Sequence, residues 1–226
     1  YRSPVFPFVQ PPELDGRAGR RWPVAIVGAG PVGLAAAVDL ALHGIASVVL
    51  DESNVVSTGS RAICWSKRTL EIFDRLGIGD RVVAKGVTWK VGRLFHRERE
   101  VYAFDLLPEP GHKRPAFVNL QQYYVEEYLI DRARDFPDLI DLRFMSRVTS
   151  VGQDGDHAWA DVETPQGTYR LAADYLIACD GVRSTVRRSL GLDFVGRAFE
   201  ERFLITDVEM AADFPSERWF WFEPPF

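Results

Sequence analysis

The stretch of this chain that most constrains its fold runs from Val24 to Leu34. An apolar segment there meets three closely spaced glycines, in the pattern Gly-x-Gly-x-x-Gly, and continues into an alanine-rich segment of helical character. In a strand–turn–helix unit the first glycine permits a tight turn, the second lets a pyrophosphate approach the backbone, and the third lets helix and strand pack closely. The stretch therefore predicts a dinucleotide-binding turn at a helix start. Its predicted contact residues are Gly28, Ala29, Gly30, Pro31, Val32 and Gly33.

An acidic residue stands where this fingerprint requires one. Asp51 ends a second apolar strand about 20 residues after the glycines, a position from which a carboxylate accepts a hydrogen bond from a ribose hydroxyl. Glu52 competes for the same role, but Asp51 at the strand end is better placed. With both strands, the helix and the acid present, the motif is specific for a dinucleotide. It does not by itself separate FAD from NAD.

The order of apolar periods along the chain predicts an α/β fold with a parallel sheet. The predicted helices cover residues 31–43, 66–76 and 122–135, and the first predicted strands cover residues 23–27 and 46–50. An inserted antiparallel β-meander is predicted from shorter strands over residues 142–145, 148–151, 158–163 and 169–172. A last apolar strand over residues 175–179 returns the chain to the parallel sheet.

Composition and charge exclude several classes of protein. The 226 residues are 46% hydrophobic and 26% charged with a net charge of −5, which is typical of a globular protein and gives no electrostatic basis for binding nucleic acid. No apolar run is long enough to span a membrane, and no secretion signal opens the chain. The two cysteines have neither metal-ligand nor disulfide spacing, so we expect a reducing cytoplasm.

The sequence offers no catalytic or metal-binding set of its own. The four histidines are scattered without metal-ligand spacing. Ser184 lacks the Gly-x-Ser-x-Gly context of a hydrolase nucleophile. We therefore assign no catalytic residue and no metal ligand.

The two ends of the chain predict less regular structure. Residues 1–22 contain four prolines and no helical or strand period, so we expect an extended N-terminal arm. The chain begins with Tyr1 and ends in an aromatic stretch over residues 219–226. Because a soluble domain seldom leaves such a stretch uncovered, we expect a fragment of a longer protein. Packing within a sheet is the favoured interpretation of the aromatic stretch, with the wall of an aromatic substrate pocket as the alternative.

Three further stretches make a family resemblance specific. They are Gly59-Ser60-Arg61 after the second strand, Gln122-x-x-Val125-Glu126 at the start of the third predicted helix, and Cys179-Asp180-Gly181-x-x-Ser184 at the end of the last strand. In this order, after the glycine turn, they resemble the FAD-dependent aromatic hydroxylases. These are single-component flavoprotein monooxygenases similar to 4-hydroxybenzoate hydroxylase, and the nearest branch is that of the 3-(3-hydroxyphenyl)propionate and resorcinol hydroxylases. The resemblance begins near Pro23 and matches the N-terminal portion of such an enzyme.

The resemblance implies a role for each matching position. Arg61 would lie near the FAD pyrophosphate, where the alternative is a plain surface arginine. Gln122 would bind the ribityl chain or the edge of the flavin, with helix capping and the neighbouring Gln121 as alternatives. Val148 would give backbone contacts to the adenine, although a buried strand valine explains it almost as well.

The last motif carries two possible roles under the same resemblance. Asp180, followed by Gly181, would bind a ribityl hydroxyl of FAD. Together with Arg183, Asp180 could instead lie on the route used by the nicotinamide cofactor. A simple strand-to-helix turn is the alternative, since Asp-Gly is common in turns.

The resemblance also implies an activity. The protein would be a monooxygenase that uses FAD, NADH or NADPH, and O₂ to hydroxylate a phenolic or other aromatic small molecule through a flavin C4a-hydroperoxide. The alternatives are an FAD-dependent reductase or oxidase without oxygen transfer, a nicotinamide dehydrogenase, and a non-catalytic FAD-binding fragment. The resemblance does not decide whether the protein forms a homodimer.

The resemblance divides the chain after the arm. Residues 23–192 would form a Rossmann-like FAD-binding domain, and residues 193–226 the start of a β-rich substrate domain, to which the strands over residues 87–104 could also belong. The later Gly-Asp motif of the family has no counterpart, because Gly79-Asp80 and Gly155-Asp156 stand in other contexts. We therefore expect this polypeptide alone to bind FAD weakly and to hydroxylate nothing.

Overall fold

The computed structural model describes residues 1–16, 19–59, 61–197, 199–206, 208–209 and 211–224. Ser60 of the predicted Gly59–Arg61 motif and residues 225–226 of the aromatic end lie outside the described residues. The helices are a 3-10 helix (Pro12–Asp15), α1 (Pro31–Leu42), α2 (Lys67–Leu76), α3 (Gly79–Lys85), α4 (Gln122–Ala133) and α5 (Thr185–Ser189). The strands are β1 (Trp22–Val27), β2 (Ser47–Leu50), β3 (Cys64–Ser66), β4 (Val87–Trp89), β5 (Val91–His96), β6 (Arg99–Asp105), β7 (Phe117–Asn119), β8 (Ile140–Arg143), β9 (Arg147–Asp154), β10 (His157–Thr164), β11 (Gly167–Ala178) and β12 (Arg218–Phe222).

A six-stranded mixed sheet in the order β8-β2-β1-β11-β10-β9 positions everything that follows. The strands β8, β2, β1 and β11 run parallel, with Val24 opposite Ser47 on one side and Tyr175 on the other. The strands β10 and β9 continue the sheet in antiparallel pairing. The predicted α/β fold with a parallel sheet and an antiparallel meander is confirmed.

The last sheet strand differs from its prediction. The strands predicted over residues 169–172 and 175–179 form the single strand β11. Its first part pairs antiparallel with β10 and its second part parallel with β1, and the two pairings meet at Ala173. Neither Ala173 nor Asp174 is a glycine or proline that would interrupt the strand. The meander is therefore an extension of the parallel sheet rather than a separate layer.

The strand predicted over residues 142–145 was also misplaced, because β8 pairs parallel with β2 and belongs to the parallel sheet, not to the antiparallel meander. β8 ends at Arg143, because Met145 adopts a left-handed backbone with φ of 55°. The backbone N–H of Met145 donates to the backbone oxygen of Ser53, and the backbone N–H of Ser146 donates to the backbone oxygen of Asp51. These two bonds tie the turn after β8 to the loop after β2.

Each face of the parallel sheet carries its own apolar cluster. On one face α1 packs through Leu34, Val38 and Ala41, and α4 packs beside it through Leu129. The buried alanines Ala37 and Ala41 leave room for that helix to lie close to the sheet. The other cluster joins residues of β1 and β2 to residues of β9, β10 and β11 and to Val186 of α5.

In the part of the chain that the structure describes, two small sheets lie outside the main one. β7 pairs with β3 and β4, whereas β5 pairs with β6 and with β12 from the end of the chain. Trp221 of β12 stacks on Phe95 with ring centroids 4.9 Å apart. The aromatic stretch therefore pairs into a sheet, although Trp221 and Phe222 remain exposed.

The N-terminal segment is held against the domain by contacts that include those of Phe6 and Glu13. Phe6 is buried in the core and stacks on Phe144 with centroids 4.4 Å apart. Glu13, in the 3-10 helix, forms a buried ion pair with Arg143 at 3.0 Å. Both contacts join the segment to the end of β8. Within the described residues, no helix has the length and apolar character needed to cross a bilayer.

Candidate functional site

A cleft of about 1280 Å³ opens at the carboxyl ends of β1, β2 and β11. Its size exceeds the roughly 300–1,000 Å³ of most small-molecule sites, so it has room for an extended ligand. In open α/β sheets ligands bind at this edge, where the parallel strands end. All predicted contact residues except Gly33 line the cleft: Gly28, Ala29, Gly30, Pro31, Val32, Asp51, Glu52, Arg61, Gln122, Val148, Asp180 and Gly181.

The three glycines of the turn have different surroundings. A Cβ on Gly28 would lie 2.4 Å from the Cys179 backbone oxygen, and Gly28 has a left-handed φ of 105°. A Cβ on Gly33 would lie 1.9 Å from the Gly28 backbone oxygen. A Cβ on Gly30 would meet no atom within 4 Å. Gly28 and Gly33 thus let strands and helix pack closely, whereas Gly30 leaves open the space at the helix start.

The start of α1 presents free backbone donors to the cleft. Gly30 is the N-cap residue and supplies no side-chain acceptor, and Pro31 occupies the first helical position. Val32, on the first turn, is exposed and lines the cleft. An uncapped helix start of this kind attracts an anion through its N–H groups and its dipole.

The start of α5, unlike that of α1, is capped by side chains. Asp180 Oδ2 accepts hydrogen bonds from the N–H groups of Thr185 at 2.7 Å and Val186 at 3.1 Å. The Ser184 hydroxyl accepts from the Arg187 N–H at 2.9 Å. Asp180 therefore has a structural role at the strand-to-helix turn, while it also lines the cleft. Its second carboxylate oxygen remains a potential acceptor.

Asp51 holds the glycine turn in place from the neighbouring strand. Its Oδ2 accepts from the Ala29 N–H at 2.6 Å, and its Oδ1 accepts from the Ser53 N–H at 2.8 Å. Each carboxylate oxygen can accept a second bond, so these contacts leave room for a ribose hydroxyl. The competing Glu52 also lines the cleft but is exposed.

Glu126 is a cleft residue that our sequence interpretation did not assign. It is 4% exposed and accepts from the Ser57 N–H at 2.5 Å and from Gln122 Nε2 at 2.7 Å. It thereby links the start of α4 to the loop after β2. The signal was present, because a glutamine and a glutamate four positions apart lie side by side on a helix.

The rim of the cleft is rich in arginine. Arg61 and Arg183 were singled out from the sequence, and Arg147 and Arg188 join them there. Arg147 pairs with Glu163 across the meander, and Arg188 donates to the Arg183 backbone oxygen at 2.6 Å. Sequence spacing could not place Arg147, because its position depends on the pairing of β9 with β10 and on the order of the strands in the sheet.

The thiol that lines the cleft is not a nucleophile at neutral pH. Burial raises the pKa of the Cys179 thiol, and the neighbouring Asp180 carboxylate raises it further. A thiol with a raised pKa stays protonated and unreactive. Within the described ranges, no group of three or more histidine, cysteine, aspartate or glutamate residues could hold a metal ion.

Replacing Glu126 with alanine should destabilise the cleft. The Ser57 N–H and the Gln122 amide would lose their buried acceptor, and each such loss costs about 1–3 kcal/mol. We expect the free energy of unfolding, measured by urea denaturation, to fall by about 3 kcal/mol. Glu109→Ala, at an exposed loop position, is the control and should stay near wild type. Wild-type stability of Glu126→Ala would show that the two donors find other partners.

Comparisons with a family profile and with individual proteins point to the same family. A family profile described as "FAD binding domain" matches residues 21–225. A flavin-dependent monooxygenase of Mycobacteroides abscessus is 39% identical over 194 residues, which cover 82% of this chain and 40% of that protein. A 3-(3-hydroxy-phenyl)propionate/3-hydroxycinnamic acid hydroxylase of Mycolicibacterium gilvum is 31% identical over 185 residues, covering 82% of this chain and 32% of that protein.

A solved structure agrees with this assignment. The p-nitrophenol 4-monooxygenase PnpA from Pseudomonas putida DLL-E4 superposes with a TM-score of 0.74 at 29% identity. The superposition covers 80% of this chain and 46% of that one. The chain thus spans less than half the length of these relatives.

Proposed function

Because this chain belongs to the family of FAD-binding domains found in flavin-dependent aromatic monooxygenases, we propose that its cleft holds FAD for the hydroxylation of an aromatic small molecule. The observation that carries this proposal is the uncapped start of α1 at Gly30, which opens into a cleft large enough for a dinucleotide. Electrons would come from NADH or NADPH, and O₂ would be the second substrate.

The donor set of the cleft fits the two halves of FAD. The backbone from Gly28 to Val32 would hold the pyrophosphate, and Arg61 on the rim would add a positive charge. Asp51 would accept from the ribose of the ADP half, with Glu52 as the competing acceptor. Val148, on the cleft wall at β9, would contact the adenine.

The far end of the cleft would receive the flavin half. The ribityl chain would lie between Gln122 on α4 and the turn of Asp180 and Gly181 after β11. Gln122 is oriented by its bond to Glu126, and Asp180 is fixed by the start of α5. These residues would therefore hold the ribityl hydroxyls without large rearrangement. Asp180 with Arg183 stays an alternative contact for the nicotinamide cofactor.

The cofactor would supply the redox chemistry, and the protein would bind the cofactor, orient the substrate and shield the reaction from water. FAD held by these residues would supply two-electron transfer from the nicotinamide cofactor to O₂, with one oxygen atom inserted into the aromatic ring and the other released as water. No side chain of the cleft need act as a nucleophile, in keeping with the protonated Cys179 thiol.

We further propose that residues 23–192 form the FAD-binding domain and residues 193–226 part of a substrate domain. The pairing of β12 with β5, and of β5 with β6, supports placing those strands in the substrate domain.

The activity is tested on the purified whole protein, at the length of its relatives, with FAD, NADH or NADPH, and a set of phenols under ¹⁸O₂. We expect a hydroxylated product that carries one ¹⁸O atom. Stoichiometric hydrogen peroxide without labelled product, for every phenol, would favour a flavin reductase or oxidase. A protein that takes up no flavin would contradict the FAD assignment itself. The 226-residue chain alone is expected to bind FAD without hydroxylating any phenol.

A further inference from the structure

The N-terminal segment (residues 1–16) contacts two stretches of the chain that line the cleft. In the described part of the chain, no residue before Val27 lines the cleft itself. The segment instead contacts the loop after β2 and the turn after β8, and both of these contribute residues to the cleft. Any effect of the segment on a bound ligand would therefore pass through these two stretches.

The first contact is with the loop after β2. Val5 forms an antiparallel bridge with Val55, and the backbone N–H of Phe6 donates to the backbone oxygen of Asn54 at 2.8 Å. Val55 lines the cleft in the same loop as Asp51, the proposed ribose acceptor. The segment thus adds a strand-like pairing to the loop that begins with Asp51.

The second contact is with the turn after β8. The Phe6 side chain is 4% exposed, and its ring stacks on that of Phe144 with the ring planes 15° apart. Phe144 lines the cleft, as do Ser146 and Val148, which follow it. A stacked aromatic pair stabilises a structure beyond the apolar area that it buries. Phe6 therefore holds the start of the stretch that we propose to contact the adenine.

A buried ionic group fixes the same turn one residue earlier. The Arg143 guanidinium pairs with Glu13 of the segment at 3.0 Å and with Asp141 at 2.9 Å. It also donates to the Tyr169 hydroxyl at 3.1 Å. The side chains of Arg143 and Glu13 are each 5% exposed. With two carboxylates around one cation, this group anchors the segment and leaves no positive charge for a ligand.

The two contacted stretches are also joined to each other. The backbone bonds from Met145 to Ser53 and from Ser146 to Asp51 connect the turn after β8 to the loop after β2. A displacement of one stretch would therefore be passed to the other. Phe6 is the residue that contacts both, through its backbone N–H on one side and its ring on the other.

We propose that the N-terminal segment is a positioning element of the FAD site, with Phe6 as the residue that joins its two contacts. The segment would hold the loop after β2 and the turn after β8 where the ADP half of FAD requires them. This role rests on the proposed function, because it concerns the same cleft. The segment precedes residue 21, where the match to the family profile begins, so the family assignment does not itself supply the role.

Hydrogen exchange in the unaltered chain tests this role. If the attached segment favours FAD binding, bound FAD must favour the attached segment to the same extent, because coupling is reciprocal. We expect exchange of the Phe6 N–H, followed by NMR, to slow about tenfold when FAD saturates the chain. The Gly77 N–H, which donates to Asp74 in an exposed turn that does not line the cleft, should keep its rate. An unchanged rate at Phe6, or equal slowing at Gly77, would overturn the proposal.

Two phenylalanine variants separate positioning from general stability. Phe6→Ala should weaken FAD binding and ADP binding by the same factor, about tenfold. Phe73→Ala is the matched control, because Phe73 is also 4% exposed in the same apolar cluster but does not line or contact the cleft stretches. Both variants should lower the melting temperature, since each leaves a cavity in the core. Measured below its melting range, Phe73→Ala should keep wild-type FAD affinity.

The outcomes distinguish this role from the proposed function. Equal FAD affinity in the two folded variants, or wild-type affinity in Phe6→Ala, would overturn the positioning role alone. A wild-type chain that binds no FAD would contradict the proposed function, and this role with it. If Phe6→Ala does not fold, the exchange rate of the Phe6 N–H in the unaltered chain decides.

Discussion

Replacement of Gly33 by alanine is expected to destabilise the fold and to abolish FAD binding together. The new methyl group would lie 1.9 Å from the Gly28 backbone oxygen, which cannot move aside as a flexible side chain could. The start of α1 would have to shift away from the sheet and take buried Leu34 with it. Overpacking in a core lowers the free energy of unfolding by about 1–3 kcal/mol. Because the new methyl group meets backbone, we expect Gly33→Ala to lower it by about 3 kcal/mol or more. The displaced helix start would no longer face the pyrophosphate.

Urea denaturation and FAD titration measure the two effects on the same preparation. Gly196→Ala is the matched control, because a Cβ there meets no atom within 4 Å and the backbone is not left-handed. That control should keep wild-type stability and FAD affinity. If Gly33→Ala were as stable as wild type, the close packing of α1 on the glycine turn would be wrong.

Replacement of Gly30 by alanine should separate binding from folding. Gly30 has φ of −74° and open space around its Cβ position, so alanine fits the folded backbone. The free energy of unfolding should stay unchanged or rise by about 0.5 kcal/mol. The methyl group would nevertheless point into the space that the pyrophosphate needs against the start of α1. Losing charge-assisted backbone hydrogen bonds to phosphate should weaken FAD binding about 100-fold.

Flavin fluorescence titration gives the FAD affinity of Gly30→Ala, and a melting curve gives its stability. Gly196→Ala again serves as the control for the glycine-to-alanine change itself. Unchanged FAD affinity would mean that the pyrophosphate does not approach Gly30. A parallel fall in stability and affinity would instead give Gly30 the packing role that we assign to Gly33.

The local part of this site could be predicted from the sequence. The strand, the glycine turn, the helix and Asp51 lie within about 30 consecutive residues, and their geometry depends on short-range constraints. Gly28 does adopt the left-handed backbone that the tight turn implies. Asp180 and Gly181 could be placed because a parallel strand ends at the same edge of the sheet.

The remaining features depend on contacts between distant segments. The continuity of β11 follows from its pairing with two different strands, which turn signals alone do not reveal. The role of Glu126 depends on its bond to Ser57, which lies 69 positions away in the loop after β2. Phe6 joins the core because it packs on Phe144, which is far away in sequence. No periodicity within a short window encodes such contacts.

Competition between FAD and ADP tests the central claim most directly. FAD binding to the 226-residue chain is measured by calorimetry, alone and then with increasing ADP. The account predicts one saturable FAD site that ADP displaces competitively, because the ADP half would occupy the turn from Gly28 to Val32 beside Asp51. Absence of saturable FAD binding, or bound FAD that ADP does not displace, would contradict it.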